Sequence, residues 1–192
     1  KTNFLFDSFD KERRKTASLY YFDMMFLEVL VTRIDSIAKG IIVDIDNFKQ
    51  VNNVYDHFVG DEFLKRFSSE LVQVFDRYKI FRWFGDEFIL VGTFEDYNLL
   101  HDDLKKIILF TNQSWSLEKI EYKPTACIGV ATYPKDASSS MELFKNAEIA
   151  LFDAKQKGIS QVTLFSSNLL NKVIEDEEMT RKIDDGLRNN LF

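Results

Sequence analysis

The stretch Arg82-Trp83-Phe84-Gly85-Asp86-Glu87-Phe88 places two acidic side chains at a glycine-bearing reversal between two apolar runs, and an earlier carboxylate pair, Asp44 and Asp46, stands at the end of another apolar run. Carboxylates at strand ends and tight turns converge readily on a divalent cation, because Mg²⁺ takes hard oxygen ligands and commonly shares them with a phosphate. A metal-nucleotide site is the first chemistry these residues suggest. Phe84 is out of place in it, since glycine serves close backbone approaches by lacking a Cβ and tolerating positive φ.

The elements that must position these groups can be read from apolar spacing. Leu19, Phe22, Phe26, Val29, Leu30 and Ile34 predict an amphipathic helix from Ser18 to Ile37, ending near Gly40. Gly40 to Ile45 then reads as a buried strand with its carboxylates at the C-terminal end. Helices are predicted over Phe48 to Tyr55 and Val59 to Tyr78, the second with Phe63, Leu64, Phe67, Leu71, Val74 and Phe75 on one face. Lys79 to Trp83 and Phe88 to Val91 flank the acidic reversal as a hairpin. Glu95 to Thr111 is helical by period, and Lys119 to Tyr133 alternates as one long strand or a pair. A helix over Ser138 to Lys157 ends at Gly158, a C-cap residue, before a last strand at Gln161 to Phe165. The order α-β-α-α-β-β-α-β-α-β predicts an α+β domain, a mostly antiparallel central sheet flanked by helices.

Composition narrows the function classes. The chain has 192 residues, 45% of them hydrophobic, a net charge of -6 and only two prolines, which favours a single compact body. Its basic residues are scattered, so a nucleic-acid surface has no support, whereas an anionic ligand held through a metal is compatible. Cys127 is the only cysteine and lies in an apolar run, which excludes an internal disulfide and fits a reduced, cytoplasmic compartment. No apolar stretch approaches the roughly 20 residues of a membrane span, so no membrane contact by this segment is expected. Membrane attachment of a longer protein stays open, and the chain reads as a fragment of something larger.

Four motifs in order, Asp44-Ile45-Asp46-Asn47-Phe48-Lys49-Gln50-Val51-Asn52, His57 with Gly60-Asp61, Phe84-Gly85-Asp86-Glu87-Phe88, and Ala150-Leu151-Phe152-Asp153-Ala154-Lys155-Gln156-Lys157-Gly158, resemble the GGDEF domain of bacterial diguanylate cyclases. The resemblance covers roughly Ser18 to Phe165 and implies a nucleotidyl-cyclase-like fold with a ferredoxin-like core. In active members two GTP-loaded domains meet and each 3′-hydroxyl attacks the other's α-phosphate, giving cyclic di-GMP. The resemblance implies that Asp44, Asp86 and the Ile45 carbonyl hold Mg²⁺ or Mn²⁺, and that Glu87 completes the acidic cluster and helps deprotonate the hydroxyl. It puts Asn52 and Asp61 on the guanine edge and Lys49 and Lys155 on the triphosphate, with amides near Asn47 and Phe48 as further anion donors. Gly85, kept in the turn, and Phe48 complete the substrate-binding set that the resemblance implies, and Asp86 joins Glu87 as catalytic if the domain is active. Read from the residues alone, Asp46 and Asp86 could merely cap turns, either lysine could be a solvated surface group, and Phe48 and Phe88 fit a core. His57 reads as a partly buried structural histidine and His101 as exposed.

Departures from the family pattern bear on activity. Phe84 replaces the first signature glycine, and Ile159 stands where a second basic triphosphate contact is expected. Asn53 and Asp56 replace an aspartate and a glycine before His57. Ala17 to Asp23 keeps almost none of the usual Leu-Thr-Gly-Leu-x-Asn-Arg motif, and Phe75-Asp76-Arg77-Tyr78 lacks the Arg-x-x-Asp of product inhibition. Metal ligands and guanine contacts are kept while the glycine and one cation are lost. This combination implies a catalytically impaired domain, a GTP-binding or structural module regulating a neighbouring EAL phosphodiesterase domain. An active diguanylate cyclase and a purely structural dimerisation module are the alternatives. The expected boundaries are residues 1–17 as an N-terminal extension or linker, 18–166 as the domain, and 167–192 as a helical connector towards an EAL domain of the full-length chain. A homodimer and contact with cyclic di-GMP through that neighbour are further implications.

Overall fold

The computed structural model describes residues 20–21, 37–83, 85–94, 98–117, 120–173 and 175. The elements are β1 (Tyr20–Tyr21), β2 (Ile37–Ile45), α1 (Phe48–Tyr55), α2 (His57–Val74), β3 (Lys79–Arg82), β4 (Glu87–Phe94), α3 (Asn98–Thr111), β5 (Trp115–Leu117), β6 (Ile120–Tyr122), β7 (Ala126–Tyr133), α4 (Ser140–Lys157) and β8 (Val162–Leu164). Residues 167–173 are helical as well.

Six strands form one sheet in the order β1-β3-β4-β2-β7-β8, and β5 pairs with β6 in a separate hairpin. The β3–β4, β4–β2 and β2–β7 pairs are antiparallel, with one parallel pair at each edge. This is the expected α+β plan. Strand β2, Ile-Ala-Lys-Gly-Ile-Ile-Val-Asp-Ile, is central because it is apolar on both faces, and its side chains divide by a period of two. Ile41, Val43 and Ile45 enter one core with Phe48, Phe63, Phe67, Leu71, Leu104 and Ile107 from α1, α2 and α3. Ile42 enters the other, with Ile89, Cys127, Leu143, Ala147, Leu151 and Ala154, under α4.

The first core is an aromatic lattice. Phe63 meets Trp115 edge-on at 5.5 Å and Tyr122 at 5.0 Å, and Phe67 packs 5.1 Å from both Phe88 and Phe110. Each buried ring contributes about 1.5–3 kcal/mol over its exposed state, enough to hold α1 and α2 rigidly over β2. The second core depends on close approach instead. A Cβ on Gly129 of β7 would lie 2.2 Å from the Ala147 carbonyl oxygen and 2.3 Å from the Leu151 amide nitrogen, so α4 rests directly on the strand backbone.

Several expectations are corrected. The predicted helix over Ser18 to Ile37 lies mostly outside the described residues, but Tyr20 and Tyr21 form a strand beside Phe81 and Arg82, and β2 begins at Ile37 rather than Gly40. Two adjacent aromatics suit a sheet edge, a tertiary preference that overrides local helical spacing. Of the two readings of Lys119 to Tyr133, the pair of strands holds: β6 and β7 are separated at Lys123-Pro124-Thr125, where proline cannot donate to a ladder. The second predicted helix starts two residues earlier and ends at Val74, since Asp56 accepts from the Phe58 and Val59 amides as its N-cap. The predicted connector beyond Glu175 and the Phe84 side chain lie outside the described residues. Gly129→Ala is expected to lower unfolding stability by about 1–3 kcal/mol through overpacking against the α4 backbone, measured by urea denaturation.

Candidate active site

Strand parity builds the site. Asp44 pairs across the sheet with Glu87 on one side and Cys127 on the other, so all three share the face of Ile42 and point under α4. Gly85, with φ of 54°, and Asp86 form the turn between β3 and β4, and the Ile45 amide donates to the Asp86 carbonyl at 3.4 Å. Arg82 Nε closes the turn by donating to the Gly85 carbonyl at 2.7 Å. Lys155, in the last turn of α4, completes the group. Its Nζ lies 2.6 Å from Asp44 Oδ2 and 3.9 Å from Glu87 Oε1.

The charges interact as a crowded acidic cluster. Burial, a hydrogen bond to Asp44 and the Asp44 charge push the Glu87 carboxyl up to about 7. Burial and the Asp44 charge also raise Asp86 above the usual carboxylate range, with Lys155 and Arg82 opposing. Burial works against the Lys155 charge, but its bond to Asp44 and the surrounding carboxylates outweigh that and raise its pKa. Like charges held this close call for a cation.

Among the described residues no three His, Cys, Asp or Glu side chains close into a metal cage. The expected ligand set of Asp44, Asp86 and the Ile45 carbonyl contains only two carboxylates, which suits Mg²⁺ because that ion keeps waters and phosphate oxygens in its shell. Carboxylate and carbonyl oxygens gathered at one strand end are hard donors of the kind such an ion takes.

The expected guanine contacts lie on two helices, Asn52 on α1 and Asp61 on α2. A Cβ on Gly60 would lie 1.9 Å from Asn52 Oδ1 and 3.1 Å from the Phe48 ring, so the half-buried Asn52 amide lies across Gly60, next in sequence to the exposed Asp61. Gly60 is a positioning residue whose role spacing alone did not reveal. Asn47 precedes α1 with φ of 57°, and its side chain does not cap the helix. Lys49 is exposed in its first turn, and the Phe48 ring is buried 5.9 Å from Phe63, which makes it core rather than a ligand contact. Among the described residues no hydrogen bond or ion pair joins the Asn52–Asp61 pair to the carboxyl cluster.

Asp46 is a tether. Its Oδ2 accepts from Thr125 Oγ1 at 2.7 Å and from the Ser160 amide at 2.8 Å, and Cys127 Sγ donates to the Gly158 carbonyl at 3.1 Å. Burial pushes the Cys127 thiol up to about 11, so it stays neutral. These bonds fix the loop after α4, and with it Lys155, against the end of β2. Ile159 in that loop is exposed. His57 is exposed at the start of α2 rather than partly buried, and His101 is exposed as expected. On the far side of α4, Asp153 is buried, pairs with Lys157, accepts from Thr163 Oγ1 at 3.0 Å and lies 3.7 Å from Lys172 of the helical residues 167–173.

Because the folded Glu87 carboxyl titrates near 7 against 4.5 for an ordinary glutamate, the native state keeps a proton that the unfolded chain has already released between those values. Stability in EDTA therefore falls as pH rises through that window, by about 1–3 kcal/mol, and Glu87→Gln flattens the slope in urea denaturation at stepped pH.

Comparison with known proteins agrees with this geometry. The family model for the diguanylate cyclase, GGDEF domain, matches residues 27–161. The chain is 29% identical over 171 residues to the cyclic di-GMP phosphodiesterase NbdA of Pseudomonas aeruginosa, covering 85% of this chain and 22% of that protein. It spans about a fifth of the length of NbdA, of PdeR from Escherichia coli and of MbaA from Vibrio cholerae. An EAL/GGDEF domain protein from M. capsulatus superposes with a TM-score of 0.64 at 26% identity, covering 70% of this chain and 88% of that one. The GGDEF domain of TpbB (YfiN) from Pseudomonas aeruginosa superposes with a TM-score of 0.75 at 21% identity, covering 82% and 96%, a likeness of fold. Ordered motifs, an acidic β-hairpin turn beside the end of β2, and a family match over most of the chain have one conclusion: this chain belongs to the GGDEF domain family of bacterial cyclic di-GMP signalling.

Proposed function

We propose that this is a catalytically impaired GGDEF domain that binds GTP with Mg²⁺ and acts as a regulatory module for an EAL phosphodiesterase domain in the same full-length chain. The observation that carries this reading is the contrast between Phe84 at the first signature glycine and the intact group of Asp44, Asp86, Glu87 and Lys155 gathered by the sheet. A phenylalanine where the backbone must approach a nucleotide obstructs turnover more readily than it removes every binding contact. NbdA, named a phosphodiesterase, and the EAL/GGDEF relative from M. capsulatus support the choice of neighbour.

In this reading Asn52 and Asp61 pair with the guanine edge, while Lys49, Lys155 and the first amides of α1 hold phosphate oxygens. Asp44, the Ile45 carbonyl and Asp86 would hold Mg²⁺ or Mn²⁺, which supplies charge neutralisation to the triphosphate. Occupancy biases the neighbouring domain only if GTP binds its two states with different affinity. A second reading, an active diguanylate cyclase, is favoured by one observation: Glu87 titrates near neutrality, where a general base for a hydroxyl works best.

Calorimetric titration with a non-hydrolysable GTP analogue and Mg²⁺, repeated with the ATP analogue, tests the binding claim. Guanine-selective heat is expected, and Asp61→Asn should weaken it about tenfold by removing a charge-assisted contact; absence of heat with either nucleotide would sink the reading. For turnover, wild type should form little cyclic di-GMP and Phe84→Gly should gain activity, whereas robust wild-type synthesis abolished by Asp86→Ala establishes the cyclase. Regulation is checked by cyclic di-GMP hydrolysis of the full-length protein with and without GTP.

A further inference from the structure

Lys155 occupies an oxygen that a divalent cation would need. Its ammonium is 2.6 Å from Asp44 Oδ2 and faces Glu87 at 3.9 Å, while Asp86 adds attraction through its charge. Among the described residues, two neighbouring cations are committed elsewhere: Arg82 closes the turn at the Gly85 carbonyl, and Lys157 is bound to Asp153 and Thr163. The Lys155 side chain is 43% exposed, so its long stem can swing the charge outward without disturbing the core.

We infer that Lys155 is an internal competitor for the metal carboxylate, holding Asp44 until a divalent cation takes it, and that its release then presents a free ammonium to an anion arriving with that cation. This rests on the reading of Asp44, Ile45 and Asp86 as metal ligands. Metal and anion each remove the other's competitor: the cation frees Lys155 for the anion, and an anion that draws Lys155 away frees Asp44 for the cation. The two therefore bind with positive coupling, and linkage makes that coupling reciprocal. Such coupling disfavours either ligand binding alone.

The test is Mn²⁺ titration of the 192-residue chain followed by electron paramagnetic resonance, with Lys155→Met beside wild type and no nucleotide present. Removing the competitor should tighten Mn²⁺ binding roughly three- to tenfold, the range expected for losing a partly exposed ion pair. Loss of a nearby positive charge alone could tighten binding too, so the ammonium resonance of Lys155 in wild type is followed by ¹⁵N spectroscopy during Mg²⁺ addition. Displacement from Asp44 shifts or broadens that signal; a purely electrostatic role leaves it in place. Equal or weaker Mn²⁺ binding by Lys155→Met, or a Lys155 signal unmoved at saturating Mg²⁺, overturns the inference. If Lys155→Met binds no Mn²⁺ at all, the inference falls with the metal-ligand assignment, while guanine selectivity through Asn52 and Asp61 is decided separately by calorimetry.

Discussion

The two-sided burial of β2 is the constraint on which the site depends. A strand with apolar groups on both faces must sit at the centre of the sheet, flanked by β4 and β7, with helices above and below. Once that is so, alternation leaves no freedom at its C-terminal end. Ile45 faces the aromatic core and Asp44 faces α4, joined by its lateral neighbours Glu87 and Cys127. A slip of one residue in either ladder would turn the carboxylates to opposite faces and separate them. Precision in the acidic cluster thus comes from the same register that closes the core.

Electrostatics at that edge oppose the packing. Partly buried carboxyls held side by side repel one another, which pushes the Glu87 carboxyl up, and the Lys155 ammonium against Asp44 offsets part of that repulsion. The cluster is a local site of conflict inside a consistent fold, which is where function commonly resides. The aromatic lattice of Phe63, Phe67, Phe110 and Trp115 provides the surplus stability that lets such a site persist.

Much of this was legible from the residues. The helices α1, α2 and α4 show their apolar faces in the spacing, and Gly158 marks the end of α4. The apolar runs around Gly85-Asp86-Glu87 announced a hairpin because strands and turns there follow local rules. What escaped notice is non-local. Tyr20–Tyr21 is a strand only because β3 offers an edge, β5 is too short to show a period, and Gly60 acquires its meaning only when Asn52 is laid over it. Asp46 looked like half of a chemical pair and is instead a tether to Thr125 and Ser160, residues far away in the chain. The Lys155–Asp44 bond spans 111 positions, so no local pattern encodes it.

Asp153 gives α4 a second set of attachments. Two residues before Lys155 on the same helix, it holds β8 through Thr163 and reaches Lys172 in the helical residues 167–173. Helix α4 is consequently a rigid lever with the acidic cluster at one side of its last turns and the helical residues 167–173 at the other. Any tilt of that lever imposed at one side must be shared by the other, because the backbone of β7 beneath Gly129 leaves no slack to absorb it.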